Sequence, residues 1–444
     1  MLAADFYEIN SGDTAWVLTS AALVLLMTPG LAFFYGGMVR GKNVLTILMQ
    51  NYITIGIVSI VWVVAGFSLA FGGAGKWIGD FSYLGLKGTA SNQVLTSGID
   101  WLTIPVLAFV AFQLMFAVIT PALFTGSIAD RMKFAPFVVI VVLWSLLVYS
   151  PIAHMVWAKS GYLFGLGAWD FAGGTVVHAN AGAAGLALAL VLGKRKGWPR
   201  EPMRPHNLPL VLLGTGLLWF GWFGFNAGSA LGTSNGLSSL AFVTTNTATA
   251  AAMLGWVITE KIRDGHATTL GAASGAVAGL VAITPAAGYV SPMGSIALGL
   301  IAGVVCCLAT ALKFKFGFDD ALDVVGVHLV GGVLGALLVG VLATTAFNSS
   351  TVAGGPVGLL YGGGFGQLGK QAAAVGISVV YSFIATWIIA KVVGAIFGGL
   401  RVTEEVEIEG LDLNLHAETA YENLQSGSFR SSAIPVKASE EVSA

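Results

Sequence analysis

"DFAGGTVVHANAGAAG", residues 170–185, runs through one of the most apolar regions of the chain. It nevertheless opens on an aspartate and carries a histidine, His178, in its middle. A second stretch, "DALDVVGVHLVGGVLG", residues 320–335, repeats the arrangement. Asp320, His328, Gly332 and Gly335 follow Asp170, His178, Gly182 and Gly185 at a constant interval of 150 residues. The reading of this pair decides the fold, because it divides the chain into two related halves.

Composition sets the class. Of 444 residues, 56% are hydrophobic and 10% are charged, with a net charge of −1. A soluble domain carries about a quarter charged residues, so the chain reads as an integral membrane protein, and nothing in its charge points to nucleic acid. The two cysteines, Cys306 and Cys307, are neighbours in an apolar segment and frame neither a disulfide scaffold nor a metal site. The N-terminus "MLAADFYEINSGDTAW" has no basic region followed by an apolar one, so no cleavable signal peptide is expected in the chain as given.

Apolar segments of roughly 20 residues predict transmembrane helices. Eleven are expected, near 14–36, 44–72, 102–126, 134–153, 171–193, 208–230, 239–259, 267–284, 293–312, 321–343 and 371–399. Loops after the odd-numbered spans 1 to 9 hold 13 Lys and Arg, and the opposite loops hold four. The positive-inside rule then places the N-terminus outside and the C-terminus in the cytoplasm. Spans 1–5 and 6–10 form two groups of five. A unit of five helices repeated once inserts the second time upside down, an inverted-repeat design that puts a substrate path near the midplane. The fold class expected is thus an all-α integral membrane protein of two inverted five-helix repeats plus a final helix. Residues 1–400 form the membrane domain and 401–444 an acidic cytoplasmic tail.

Geometry makes the histidines interesting. Eight residues separate each aspartate from its histidine, roughly 12 Å along a helix, against roughly 15 Å for half a hydrocarbon core. Two helices entering from opposite faces therefore bring His178 and His328 to one depth. Such a pair could relay a proton or hold one small polar substrate, and ionisable residues inside a membrane are functional hypotheses by default. The plain alternative is a satisfied buried imidazole bonding a carbonyl. The glycines beside them let helices approach closely. Asp170 and Asp320 could each cap a helix N-terminus or attract a cation; capping suits Asp320 and Asp323, and both roles stay open for Asp170. His154 reads as interfacial, and His206 and His266 fall in loops.

"FQLMF" puts Phe112 and Phe116 one turn apart, and "WFGWFGFNAGS" packs Trp219, Phe220, Trp222, Phe223 and Phe225 ahead of Ser229. Aromatic stripes in membrane helices are commonly packing. With a hydroxyl at the same depth, an aromatic face would also select a cation. The tail from Arg401 reads either as a solvated appendage or as a docking segment. Its Glu404, Glu405, Glu407 and Glu409 complement "KRKGWPREPMR" (residues 194–204), and Leu411, Leu413 and Leu415 supply apolar grip.

These stretches, with "TPGLAFFYGGMVR" and "GLRVTEEVEIEGLDLNLHAETAY", resemble the ammonium transporter family (Amt/Mep, related to the Rh proteins) from about Thr14 to Tyr421. The resemblance implies a homotrimer of eleven-helix subunits, each with its own pore. It implies an outer ammonium site at Trp157, Ser229 and Phe116, with Asp170 orienting and stabilising that site. Phenyl gates follow at Phe116 and Phe225, and the His178–His328 pair then lines an apolar pore. The tail is implied to meet a P-II type signalling protein at the cytoplasmic face. The expected function is uptake across the plasma membrane: ammonium is recruited, deprotonated and conducted as ammonia. No enzyme activity, cofactor or metal is expected. The alternatives are an ammonium sensor of the same fold, a carbon dioxide channel of the Rh type, and a membrane cytochrome with His178 and His328 as axial haem ligands.

Overall fold

The computed structural model describes residues 9–89, 102–234, 236–347 and 355–421. Among these the chain is helical, and its only strand-like pairings are two isolated bridges, Met132 with Arg401 and Val290 with Ala343. Ten helices are long and apolar enough to cross a membrane: α1 (Ser11–Met38), α2 (Gly41–Phe71), α3 (Val106–Ile128), α4 (Phe134–Leu166), α5 (Gly174–Leu192), α6 (Leu208–Gly228), α7 (Leu237–Asp264), α9 (Pro292–Phe316), α10 (Val325–Leu342) and α11 (Gly366–Ile396). Between α7 and α9 lies α8 (Thr269–Ile283), an apolar helix of only 15 residues. Among the described residues, ten of the eleven expected spans are therefore long helices, and α8 stands at the eleventh position. At 1.5 Å per residue α8 covers about 22 Å, short of the roughly 30 Å hydrocarbon thickness. Its consecutive run of residues 275–283 is buried among other helices, so protein rather than lipid surrounds it.

Small residues decide which helices touch. Helix α1 packs along α6, α7 along α9 and α8, and α5 along α11. Without a hydrophobic drive between helices in lipid, close backbone approach supplies the contact. The two motif glycines cross reciprocally. A Cβ on Gly332 of α10 would stand 2.7 Å from the Ala179 nitrogen, and one on Gly182 of α5 would stand 2.6 Å from Leu329 Cβ. The crossing of α5 and α10 is thus set at the turn that carries the histidines.

Those two helices also begin alike. Residues Gly174–Ala179 and Val325–Leu329 both form a π-helical turn, and each turn contains the histidine. Widened turns of this kind are uncommon and concentrate at functional sites. Asp170 caps the first: one carboxylate oxygen accepts the N–H groups of Gly173 and Gly174 at 2.9 and 2.7 Å, the other those of Thr175 and Val176 at 2.9 and 3.0 Å. Asp320 caps the second through Val325 N–H at 2.7 Å and accepts from Ser127 Oγ at 2.8 Å. Asp323, read from sequence as a further cap, instead pairs with Lys313 at 2.7 Å. Its backbone is left-handed, φ 61°, which turns the side chain away from the helix start.

The basic loops gather at one end of the molecule. Arg195 donates to Asp319 at 2.9 Å and to Asp130 at 3.4 Å, and Arg40 reaches Asp130 at 3.2 Å. Burial by itself would raise the Asp319 carboxyl, but the hydrogen bonds and charge of Arg195 outweigh it and hold Asp319 below the usual carboxylate range. Arg131 is fully buried and donates to Asp319 O at 2.6 Å; burial brings its guanidinium down to about 10.

The tail folds onto this end as α12 (Glu404–Glu409) and α13 (Leu411–His416). Glu407, 1% exposed, accepts from Arg401 at 2.6 Å and from the Lys196 N–H at 2.6 Å. Asp412, also buried, accepts the N–H groups of Leu45 and Thr46 at 2.9 and 2.7 Å, where α2 begins. Glu404 pairs with Lys196. Of the four glutamates set against residues 194–204, Glu404 and Glu407 reach Lys196 there while Glu409 accepts from Asn414, and the apolar grip is narrower than expected too. Leu411 is buried, whereas Leu413 is 49% exposed. The small residue count of α12 and α13 leaves one face inward, and Leu411 occupies it together with the two carboxylates. Residues 422–444 lie outside the described segments.

Candidate functional site

One file of rings runs from the end of α4 to the α5–α10 crossing. Trp157, at the end of the helical turn Ser150–Trp157, donates its indole N–H to the Asp170 carbonyl at 3.0 Å. The carboxylate that caps α5 therefore belongs to the residue whose carbonyl orients the tryptophan. The Trp157 ring meets Phe116 edge-on, centroids 5.8 Å apart at 88°. Phe116 lies over Phe225 at 4.3 Å and 39°, and Phe112 braces it from one turn away at 4.9 Å. Phe225 approaches His178 at 6.0 Å, and His178 stacks on His328 at 5.4 Å and 20°.

Exposure changes sharply along the file. Trp157 and Ser229 are half-buried, whereas Phe116, Phe225, His178 and His328 are all at or below 2%. The Trp157 end of the file is thus half-buried, and the two phenyl rings stand between it and the imidazoles. Ser229 sits where α6 ends, and its hydroxyl donates to the Phe225 carbonyl at 2.8 Å. With its hydrogen committed, the oxygen offers lone pairs only, and so it accepts an N–H rather than donating. An aromatic face beside such an acceptor suits a small cation with protons to give.

The histidine nitrogens face each other: Nδ1 to Nδ1 is 3.3 Å. Two neutral imidazoles in that arrangement need opposite tautomers, one donating from Nδ1 and one accepting there. One proton therefore lies between the rings; passing it across leaves both rings neutral only when one Nε2 gains a proton and the other gives one up. Trp222 stacks on the other side of His178 at 5.3 Å and 15° and is itself held by an N–H donated to Thr284 Oγ1 at 2.9 Å. Two imidazoles ligating one haem iron from opposite faces at about 2 Å each have their nitrogens about 4 Å apart, with the macrocycle between them. The 3.3 Å approach does not fit the axial-ligand reading.

Every site residue singled out in the sequence, Trp157, Ser229, Phe116, Asp170, His178, His328 and Phe225, falls on this file or at its mouth. The surrounding aromatics separate. Of the stripe on α6, Trp222 and Phe225 face the file, while Phe220 is 56% exposed and Phe223 stacks on Phe242 at 3.9 Å. Sequence reading gave Trp222 no role apart from its neighbours, and nothing in the pattern pointed to Thr284, which is a single hydroxyl in an apolar helix end. His154 is buried within the protein, its ring nitrogens 3.0 Å from Ala70 O and 2.6 Å from Gly75 O. His206 lies against Val39 O and the Tyr421 hydroxyl.

Comparison with known proteins places these features in context. Residues 15–421 match the model of the Ammonium Transporter Family. An ammonium transporter of Mycobacterium tuberculosis is 54% identical over 440 residues, covering 93% of this chain and 91% of that protein. One from Bacillus subtilis is 50% identical over 416 residues, covering 94% and 100%. Among solved structures, Mep2 of Saccharomyces cerevisiae superposes with a TM-score of 0.81 at 34% identity, covering 89% of this chain and 91% of that one. A structure described as a sensor Amt protein superposes at 0.82 with 31% identity, covering 91% and 98%.

Proposed function

The chain belongs to the ammonium transporter family, and from that premise we propose that ammonium is recruited at Trp157, Phe116 and Ser229, deprotonated at the phenyl gate and conducted as ammonia past His178 and His328. The observation that carries this reading is the unbroken file from a half-open tryptophan to a sealed imidazole pair. Trp157 attracts the cation through its ring face, and the Ser229 oxygen accepts a hydrogen bond from one of its N–H groups. Asp170 acts from behind, since both its carboxylate oxygens are occupied by backbone N–H groups. Phe116 and Phe225 form the gate.

Ion exclusion follows from the buried section. Moving a bare ion into a low-dielectric interior costs on the order of 20 kcal/mol in the idealised limit. Ammonium avoids that cost by leaving its proton outside, and potassium has none to leave. The released proton either returns or follows across the shared Nδ1 position.

The wider reading completes this picture. Residues 1–400 form the membrane domain, in the plasma membrane, with the N-terminus outside. Residues 401–444 form a cytoplasmic tail, and subunits assemble as a homotrimer that meets a P-II type regulator through the tail. The basic loops gathered with that tail on one end support the orientation. A second reading, a sensor that binds ammonium without net transport, is favoured by the likeness to the sensor Amt protein. Reconstituted protein on a supported membrane separates the two. Ammonium and methylammonium pulses should each evoke current or vesicle alkalinisation, and potassium should evoke neither. Binding with no flux at any gradient would favour the sensor.

A further inference from the structure

Asp13 is the one acidic residue in the first turn of α1, where a carboxylate ordinarily complements its own helix dipole. Here the cap is Asn10, whose side-chain oxygen accepts the Asp13 N–H at 3.0 Å. The Asp13 carboxylate is 1% exposed and reaches outward to two other segments. Its Oδ2 accepts from Thr103 Oγ1 at 2.6 Å, and its Oδ1 from the Thr233 N–H at 2.7 Å. Thr103 lies three residues before the start of α3, which carries Phe116. Thr233 lies four residues beyond Ser229.

The turn so held is an unusual one. Leu231 is left-handed, φ 55°, which a non-glycine residue adopts only where its surroundings over-determine it. Leu231 N–H bonds back to Gly228 O at 2.9 Å, and on the near side of Ser229 the Trp16 indole donates to Ala227 O at 3.1 Å. The first two turns of α1 thus grip the end of α6 on both sides of Ser229, two residues before it and four after. Gly232 leaves the room, since a Cβ there would stand 2.8 Å from the Asp13 carboxyl carbon.

We propose that Asp13 is a positioning residue for ammonium recruitment, fixing through Thr233 and Thr103 where Ser229 and the start of the Phe116 helix stand at the entrance. The proposal rests on the recruitment role given to Ser229 above. It assigns to a helix outside the ring file the placement of the acceptor oxygen at the end of α6.

Currents from reconstituted protein test it with Asp13→Ala, Asp13→Asn, Ser229→Ala and the double variant Asp13→Ala/Ser229→Ala. Asp13→Ala should raise half-saturating ammonium about fivefold, the scale of one net hydrogen bond, with the maximal current little changed. Asp13→Asn should restore most of the affinity, because its amide oxygen still accepts the Thr233 N–H and its NH2 can donate to Thr103. The double variant should be no worse than Ser229→Ala, because a residue acting through Ser229 has nothing left to position. Wild-type affinity in Asp13→Ala, with Ser229→Ala shifted, overturns the positioning role alone. Asn as harmful as Ala replaces it with attraction by charge, and shifts that multiply in the double variant make Asp13 independent of Ser229. No shift in Ser229→Ala removes the recruitment reading and the proposal with it. Should Asp13→Ala fail to yield folded protein, Thr103→Val decides: a rise of about twofold supports the role, and no rise overturns it.

Discussion

At the scale of single residues, the imidazole pair concentrates the chemistry. His178 and His328 share one Nδ1–Nδ1 approach, so removing either ring leaves the other without its partner in a sealed apolar section. His178→Ala and His328→Ala should each cut ammonium-evoked current severely while the protein stays folded by size-exclusion chromatography. Wild-type current and ion preference in both would show that the pair carries nothing. In the proposed path Trp157 acts earlier. Trp157→Leu should raise half-saturating ammonium about tenfold, the scale of a desolvated cation–π contact of about 1–2 kcal/mol, with a smaller effect on maximal current. A loss of maximal current at unchanged half-saturation would move Trp157 from recruitment to conduction.

At the scale of elements, the α5–α10 crossing determines whether those rings meet. Gly332 presses on the backbone at Ala179, so Gly332→Val has no room. Overpacking costs about 1–3 kcal/mol, and here it also separates the imidazoles. Melting in detergent should fall and current should vanish, whereas Gly216→Ala, where a Cβ meets nothing within 4 Å, should change neither. Equal stability of the two variants would show that the crossing tolerates a wider spacing. Asp170 makes the same point at the helix start. Its four accepted N–H groups have no substitute in Asp170→Ala, and each buried donor left unmet costs about 1–3 kcal/mol.

At the scale of the whole molecule, the tail closes the end where the basic loops gather. Because Glu407 and Asp412 are buried and bonded while Leu413 is half exposed, Glu407→Gln and Asp412→Ala should destabilise the protein and lower current, and Leu413→Ser should not. Comparing melting and current for the three variants checks it; a tail deletion as stable and active as wild type would reduce the contact to decoration. The same end has a pH signature. Asp319 is held below its ordinary value, so its contribution is fully present above the unfolded-state pKa and is lost as pH falls through the folded-state value. Stability should be level from about pH 8 to pH 5 and should drop only in stronger acid. Asp319→Asn should lose stability at neutral pH and show less of that acid drop.

The family resemblance supplied the roles of Trp157, Phe116, Phe225 and Ser229, whereas composition, hydropathy and the 150-residue interval by themselves determined a polytopic helical protein, the pairing of its halves, and Asp170, His178, Asp320 and His328. These are legible because lipid forces long apolar helices, leaving each polar residue inside them conspicuous, and because a duplicated unit repeats its functional positions in the chain. Tertiary structure decided what no local pattern encodes. It shortened α8, because a helix wrapped by protein need not match the bilayer. It set Trp222 apart from Phe220 and Phe223, because only rotation about α6 tells the face toward the histidines from an outer one. It also joined Asp13 to Thr233 across 220 residues and Glu407 to Lys196 across 211, contacts that depend on how helices pack rather than on the residues beside them in the chain.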